Sequence, residues 1–223
     1  MTEAVRKRGR PRVLKPEVGL EKAALLFWEH GYEGTSIADL TQAMGVTPPS
    51  LYATFGSKED LYRQALDYAI EGENRRRAEA LRGAPSAYDA MVFYLHDVAE
   101  SISQPGKPRG CIVSSAVLQH SEASASVARD VAARRDAATR AIKDRLDRAV
   151  SDGELPADTD TDSLARFYAA VVQGMSAQAC DGACTARLKQ VADIALSAWP
   201  GERMDGRGSD GRARERLAAK ASR

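Results

Sequence analysis

At 223 residues, with 43% hydrophobic residues, the chain is long enough for one large or two small domains with a genuine core. Three cysteines, Cys111, Cys180 and Cys184, are too few and odd in number for a disulfide scaffold, and no apolar run reads as a membrane span or a signal-peptide core, so a cytoplasmic location is expected. The formal net charge of +1 says nothing about nucleic acid by itself, but its distribution does.

Residues 1–15 read as a flexible basic arm: Arg6, Lys7, Arg8, Arg10, Arg12 and Lys15 stand against the single acid Glu3. Pro11 pushes Arg10 toward extended geometry, and an extended arm carrying Arg10 and Arg12 suits phosphates or a minor groove. The plainer alternative is a solvated terminus. Over 17–30, Leu20, Ala23, Ala24, Phe27 and Trp28 follow a helical stripe that Gly31 stops. Thr35 or Ser36 opens a second helix, with Ile37, Leu40 and Met44 inward and Asp39 in its first turn, and Gly45 breaks it.

The stretch Gly45–Lys58 organises the rest. Thr47 is placed to cap a short helix and Pro48 suits its first position. Leu51 and Phe55 share one face, which leaves Ser50, Tyr52 and Thr54 pointing outward. Gly56 ends this helix, and Ser57 with Asp60 forms a capping box for the next. Helix, tight glycine turn, short helix is a helix-turn-helix. An outer face of hydroxyls needs a polar partner, and a DNA major groove fits it.

A long helix follows over 57–81, with Leu61, Ala65 and Tyr68 or Ala69 inward and Arg75–Arg77 as a solvated charge run. Gly83-Ala84-Pro85 ends it. The reading head closes at about Leu66, inside this helix. Further helices are expected over 86–103, from Cys111 to about Gln119, over 124–151 (Val127, Val131, Ala138, Ile142, Leu146 and Val150 inward), and as a pair before Pro200. In that pair Leu164, Phe167, Tyr168, Val171, Val172 and Met175 cover more than one face, and Leu188, Val191, Ala192, Ala195, Leu196 and Trp199 form a stripe. Such surplus apolar surface suits a symmetric four-helix dimer interface or burial inside one subunit. Residues 201–223 have the composition of a disordered tail.

The run from Ala23 to Leu66, through Phe27-Trp28-Glu29-His30-Gly31-Tyr32, Thr35-Ser36-Ile37-Ala38-Asp39-Leu40 and Leu51-Tyr52-Ala53-Thr54-Phe55-Gly56-Ser57-Lys58, resembles the N-terminal domain of the TetR family of bacterial transcriptional repressors. The resemblance covers about the first third of the chain. It implies an all-α homodimer: a three-helix DNA-binding domain (16–66) between the arm and a larger helical ligand-binding and dimerisation domain (67–200), with the tail at 201–223. It places Ser36, Ser50, Tyr52 and Lys58 at positions that contact DNA in the family. Tyr52 and Lys58 suit phosphates, Thr47, Pro48 and Ser50 are placed to meet base edges, and Thr54 is counted with the DNA-facing residues, ordinary packing or solvation being the alternative for it and Tyr52. With no arginine, asparagine or glutamine on this helix, sequence reading must lean on weak contacts and DNA shape. The dimer reading takes Leu164, Val171, Val172, Leu188, Val191, Ala195 and Trp199 as its interface. Candidate pocket residues are Met91, Leu95, Cys111, Val117, Phe167, Tyr168 and Met175.

Arg109-Gly110-Cys111 at an expected helix start resembles a subset of such repressors that respond to electrophiles or oxidants, because a helix N-terminus and a nearby cation lower a thiol pKa. The alternative is a small buried hydrophobe. Cys180 and Cys184 have a spacing compatible with a metal-ligand pair but lack further ligands nearby, and His30, His96 and His120 are scattered. No catalytic constellation, phosphate loop or dinucleotide turn appears, so neither an enzyme nor a cofactor is expected. The expected function is a repressor that releases a near-palindromic double-stranded operator on binding a small-molecule inducer or on thiol modification. An architectural DNA-binding protein without a ligand is the alternative, and no membrane partner is expected.

Overall fold

The computed structural model describes residues 15–114, 116 and 120–201. The arm with Arg10 and Arg12, the pocket candidate Val117 and the tail beyond Gly201 lie outside them. The described residues are helical: α1 (Pro16–Gly34), α2 (Ile37–Met44), α3 (Pro48–Phe55), α4 (Lys58–Gly83), α5 (Ala87–Ser101), a short 3-10 turn (Glu122–Ser124), α6 (Ala125–Ser151), α7 (Thr161–Cys180) and α8 (Thr185–Ser197). Gly31 breaks the path of α1 with φ 72°, and Gly45 turns α2 into α3 with φ 70°, a left-handed conformation that glycine adopts without a Cβ penalty. None of the helices is long and apolar enough to cross a membrane.

The chain forms two compact units. The first comprises residues up to Glu71 together with 116–128, and the second 72–115 together with the residues from Arg129 onward. The first division falls inside α4, a few residues beyond the Leu66 expected from sequence. The return of 116–128 to the N-terminal unit has no counterpart in the sequence reading.

In the N-terminal unit, Ala23, Phe27, Leu40, Met44, Leu51, Phe55, Leu61, Tyr62, Ala65 and Leu66 are buried together. Phe27 meets Tyr62 edge-on at 4.9 Å between ring centroids, and Tyr32 tilts against Tyr62 at 5.0 Å. Polar fasteners hold the helix ends. Lys22 Nζ donates to the Ala43 carbonyl at 2.7 Å. Ser36 and Asp39 form a reciprocal capping box on α2, and Ser57 and Asp60 form another on α4. Gln64 Nε2 donates to the Phe55 carbonyl at 3.0 Å, closing the C-terminus of α3. Segment 116–128 is tied in through two carboxylates. Glu33 accepts from the Ser121 amide (3.0 Å) and hydroxyl (2.7 Å), and Glu59 accepts from the Ser126 hydroxyl at 2.9 Å.

The C-terminal unit is built from α5, α7, α8 and most of α6 around Met91, Leu95, Val98, Ile142, Leu146, Tyr168, Met175, Leu188 and Leu196. Several expectations are corrected here. Residues 112–114 and 116 form turns rather than a helix opening at Cys111, because the buried Gly110 adopts φ +82° and its amide bonds back to the Ile102 carbonyl. Ala138 is exposed rather than inward, and of the alternatives Tyr68 and Ala69 it is Ala69 that is half-buried while Tyr68 is exposed. The run Arg75–Arg77 is not merely solvated: Arg77 reaches Asp97 (2.7 Å), Glu73 (3.2 Å) and the Ser101 hydroxyl (2.6 Å), pinning α4 to α5. Arg145 is buried and paired with Glu154 at 2.8 Å, and Glu154 also accepts the Ala87 amide.

The Ser121 amide, then the Ser124 and Ser121 hydroxyls, hold the Glu33 pKa down at about 2 against an ordinary 4.5. The folded value is the lower one, so this contribution to stability is complete above about pH 4.5 and fades as pH falls toward 2. NMR titration of the Glu33 carboxyl is expected to give a midpoint near 2. Glu33→Ala is expected to raise hydrogen exchange at the Ser121 amide roughly tenfold; an ordinary midpoint with unchanged exchange would refute the tie.

Candidate nucleic-acid interface

An eight-residue helix is unstable alone in water, so α3 owes its shape to what it buries. Leu51 is fully buried and Phe55 nearly so, each contributing roughly 1.5–3 kcal/mol. Pro48 sits at the helix start with Thr47 as the flanking residue. Thr47 makes no side-chain cap, which corrects the capping role expected of it. Thr47, Pro48, Pro49, Ser50, Tyr52, Ala53 and Thr54 are all exposed, and Tyr52 keeps 47% of its surface open. A helix places successive residues 100° apart, so Pro49 and Ala53 lie most directly opposite Leu51 and Phe55. Ser50 and Thr54 flank them on one side and Tyr52 on the other. Sequence reasoning passes over Pro49 and Ala53 because small apolar residues carry no hydrogen-bond signal. Their place on the helix suits thymine methyl groups.

The remaining predicted contacts divide. Ser36 is exposed, but its hydroxyl donates to Asp39 Oδ2 at 2.6 Å, so its hydrogen serves the capping box rather than an outside acceptor. Thr54 Oγ1 donates to the Ser50 carbonyl at 2.9 Å and keeps its acceptor lone pairs. Lys58 opens α4 with its ammonium 4.3 Å from the centroid of the Tyr32 ring. Burial lowers its pKa, while Glu33 and Asp39 pull it up. This cation is held in place on an aromatic face.

Electrostatically the head is unusual for its task. Residues 16–71 contain three lysines and arginines (Lys22, Lys58 and Arg63) against nine acids. Lys22 is bound to Ala43, and Arg63 pairs with Glu59 and Asp60. The remaining cation of residues 16–71 is therefore Lys58, and the sequence concentrates further basic residues before Pro16.

The pocket and dimer candidates of the C-terminal unit also divide. Met91, Leu95, Tyr168 and Met175 are completely buried in one core, with Cys111 packed at its edge. Phe167 does not join them, with 40% of its surface open. Leu188, Ala195 and Trp199, expected at the dimer interface, are buried inside the single chain; Trp199 packs edge-on against Tyr88 at 5.7 Å. Leu164, Val171, Val172 and Val191 are half-buried. The sequence does not mark Ser176 as a neighbour of Cys111. Ser176 Oγ accepts the Cys111 amide at 2.8 Å, and Tyr94, whose pKa burial raises, lies under Arg77. No cluster of metal-binding side chains occurs among the described residues.

A capped helix-turn-helix with an exposed second helix, set on a three-helix core, defines a DNA-binding regulator. Residues 20–65 match the family described as bacterial regulatory proteins, tetR family, and residues 90–193 match the tetracyclin repressor-like C-terminal domain. The chain is 35% identical over 201 residues to the HTH-type transcriptional repressor ComR of Escherichia coli K12, covering 89% of this chain and 96% of that protein. It is 34% identical over 175 residues to BdcR of the same organism, covering 78% and 83%. Among solved structures it is similar to a triple-cysteine mutant of the regulator CifR complexed with 26-base-pair operator DNA, at 42% identity and a TM-score of 0.82, covering 86% of this chain and all of that one. The chain belongs to the TetR family of transcriptional regulators, which are regulators and not enzymes.

Tyr52→Phe is expected to weaken operator binding about fivefold, roughly the 1 kcal/mol of one hydrogen bond, and equally for every operator variant. Fluorescence anisotropy on a set of single-base operator variants checks this. A changed order of preference among them would show that Tyr52 reads bases rather than phosphates.

Proposed function

We propose that this chain is a homodimeric, cytoplasmic repressor that holds a near-palindromic double-stranded operator and releases it when a small molecule occupies the C-terminal unit. The observation that carries the reading is the exposed outer face of α3, with its inner face locked into the core by Leu51 and Phe55. The similarity to an operator-bound regulator over nearly the whole chain supports it. Each subunit places residues 47–54 in a major groove, with half-sites about 34 Å apart or a little more. Thr47, Pro48, Pro49, Ser50 and Ala53 meet base edges, while Tyr52 and Lys58 take phosphates. The arm, with Arg10 and Arg12, supplies the positive charge that residues 16–71 lack. Ser36 contributes through the helix start it caps rather than through its own hydroxyl.

The dimer face is assigned to the outer side of α7 and α8. Phe167, Ala170, Gly174 and Ala177 recur along α7, and Ile194 on α8 leaves 72% of its surface open. Small residues beside two large apolar ones let helices approach closely, and half-buried Leu164, Val171, Val172 and Val191 can border that contact. An inducer would enter the core of Met91, Leu95, Tyr168 and Met175 near Cys111. It favours release only by its differential affinity for the two subunit arrangements. The architectural alternative requires binding with little sequence preference. Gel shifts on DNA flanking the gene against random DNA of equal length decide between them, and equal affinities would overturn the operator reading.

Replacing Arg6, Lys7, Arg8, Arg10 and Arg12 together by alanine is expected to weaken binding to all DNA and to flatten the plot of log K against log salt by about 0.9 for each phosphate the arm no longer neutralises. An unchanged slope would show the arm to be idle. Ile194→Glu is expected to give monomers by light scattering and to lower operator affinity by on the order of 100-fold, the scale of lost bivalency.

A further inference from the structure

Residues 109–111 pack against one face of α7, the helix that ends in Cys180. Gly110 packs so closely there that a Cβ would lie 2.4 Å from Cys180 Sγ and 3.2 Å from the Ser176 carbonyl. Its φ of +82° already sets the chain apart from ordinary side-chain-bearing geometry. The neighbours of Gly110 are held on both sides. Cys180 Sγ donates to the Arg109 carbonyl at 3.5 Å, and the Cys111 amide donates to Ser176 Oγ at 2.8 Å. Ser176 and Cys180 are one helical turn apart, so residues 109–111 run along α7 with Cys111 beside the turn that ends in Cys180. The Arg109 guanidinium bonds the Ala183 carbonyl at 3.0 Å and secures the same strip to the end of the helix. The Cys180 thiol, whose pKa burial raises, lies against the backbone of Arg109 and Gly110, the two residues before Cys111. Cys180 is exposed and Cys111 half-buried, so a small oxidant reaches the pair from solvent.

We propose that Cys111 and Cys180 are a redox pair, which hydroperoxides convert into a disulfide that fastens the 102–111 loop to the end of α7. In the first step one thiolate attacks the hydroperoxide, giving a sulfenic acid and an alcohol. In the second, the other thiol attacks that sulfur, the S–S bond forms and water leaves. Two thiols and one hydroperoxide give one disulfide, one alcohol and one water, and the hydroperoxide is the electron acceptor. In a reducing compartment such an accessible disulfide is transient, which suits a signal rather than a scaffold. Only residues 112–115 separate Cys111 from the segment 116–128 that belongs with the reading head. A disulfide that locks Cys111 where it lies against α7 therefore restrains the chain leading to the segment that Glu33 and Glu59 hold. This effect on DNA rests on the repressor reading, whereas the disulfide stands independently of it.

The test uses the reduced full-length protein, one equivalent of cumene hydroperoxide and an alkylating quench. Digestion with trypsin and with a protease cutting ahead of Asp181 separates Cys180 from Cys184. Mass spectrometry is expected to find a Cys111–Cys180 crosslink that dithiothreitol removes. Cys184→Ser should keep the crosslink, while Cys180→Ser should abolish it and leave a sulfenic acid on Cys111 that dimedone traps. Both thiols alkylated after oxidation, or a crosslink to Cys184 or between subunits in its place, would overturn the pairing. Cys184 is a fair competitor, because the Arg187 amide lowers its pKa. On labelled operator, oxidation is expected to weaken wild-type binding at least tenfold, reversibly, and to leave Cys180→Ser unchanged. A crosslink with unaltered operator affinity would overturn the coupling to DNA. Failure of the reduced protein to prefer any operator would instead refute the repressor reading and leave the crosslink result intact.

Discussion

The burial of Leu51 and Phe55 is the constraint on which the reading head depends. Helix α3 is too short to persist alone, and its outer residues make almost no contacts that would hold it. Two buried side chains on one face, in a unit whose Leu40, Met44, Leu61 and Leu66 are buried as well, hold its shape. The outer face is then free to be chosen for recognition. Gln64 on the Phe55 carbonyl and the capping box of Ser57 and Asp60 finish the helix from behind. The exposed side therefore carries few fasteners of its own.

The polar side chains of this unit are mostly occupied with one another. Ser36 serves Asp39, Lys22 serves the end of α2, and Arg63 serves two acids. Little positive charge is left over within residues 16–71 once these side chains are committed to internal order. The sequence concentrates its basic residues before Pro16 instead. The same economy holds in the C-terminal unit, where Arg77 and Arg145 look like surface charge in the sequence but pin α4 to α5 and α6 to Glu154.

Glu33 and Glu59 give segment 116–128 its place. Acidic residues near a helix-turn-helix are ill suited to an anionic ligand, yet these two accept hydrogen bonds from Ser121 and Ser126. Their charge is thereby directed inward, to the segment that follows the Cys111 loop. A change in that loop has a short covalent path to the reading head.

The sequence by itself determined what depends on neighbours a few residues apart. Helical spacing marked Leu51 and Phe55 as inward and Ser50, Tyr52 and Thr54 as outward, glycines at 31, 45 and 56 marked the breaks, and Ser57 with Asp60 marked a cap. Periodicity reports that a face is apolar, but not which surface covers it. Leu188, Ala195 and Trp199 therefore read as an intersubunit stripe although they line the chain's own core, and Phe167 reads as inward although it faces out. Arg109-Gly110-Cys111 reads as a helix start because its local signals fit one. Only the long-range bond from Gly110 to Ile102 and the close approach of Gly110 to α7 decided that it is a turn. The joining of segment 116–128 to the reading head, and the meeting of Cys111 with the turn bearing Cys180, bring together residues far apart in the chain. No local pattern encodes such contacts, and tertiary packing alone selected them.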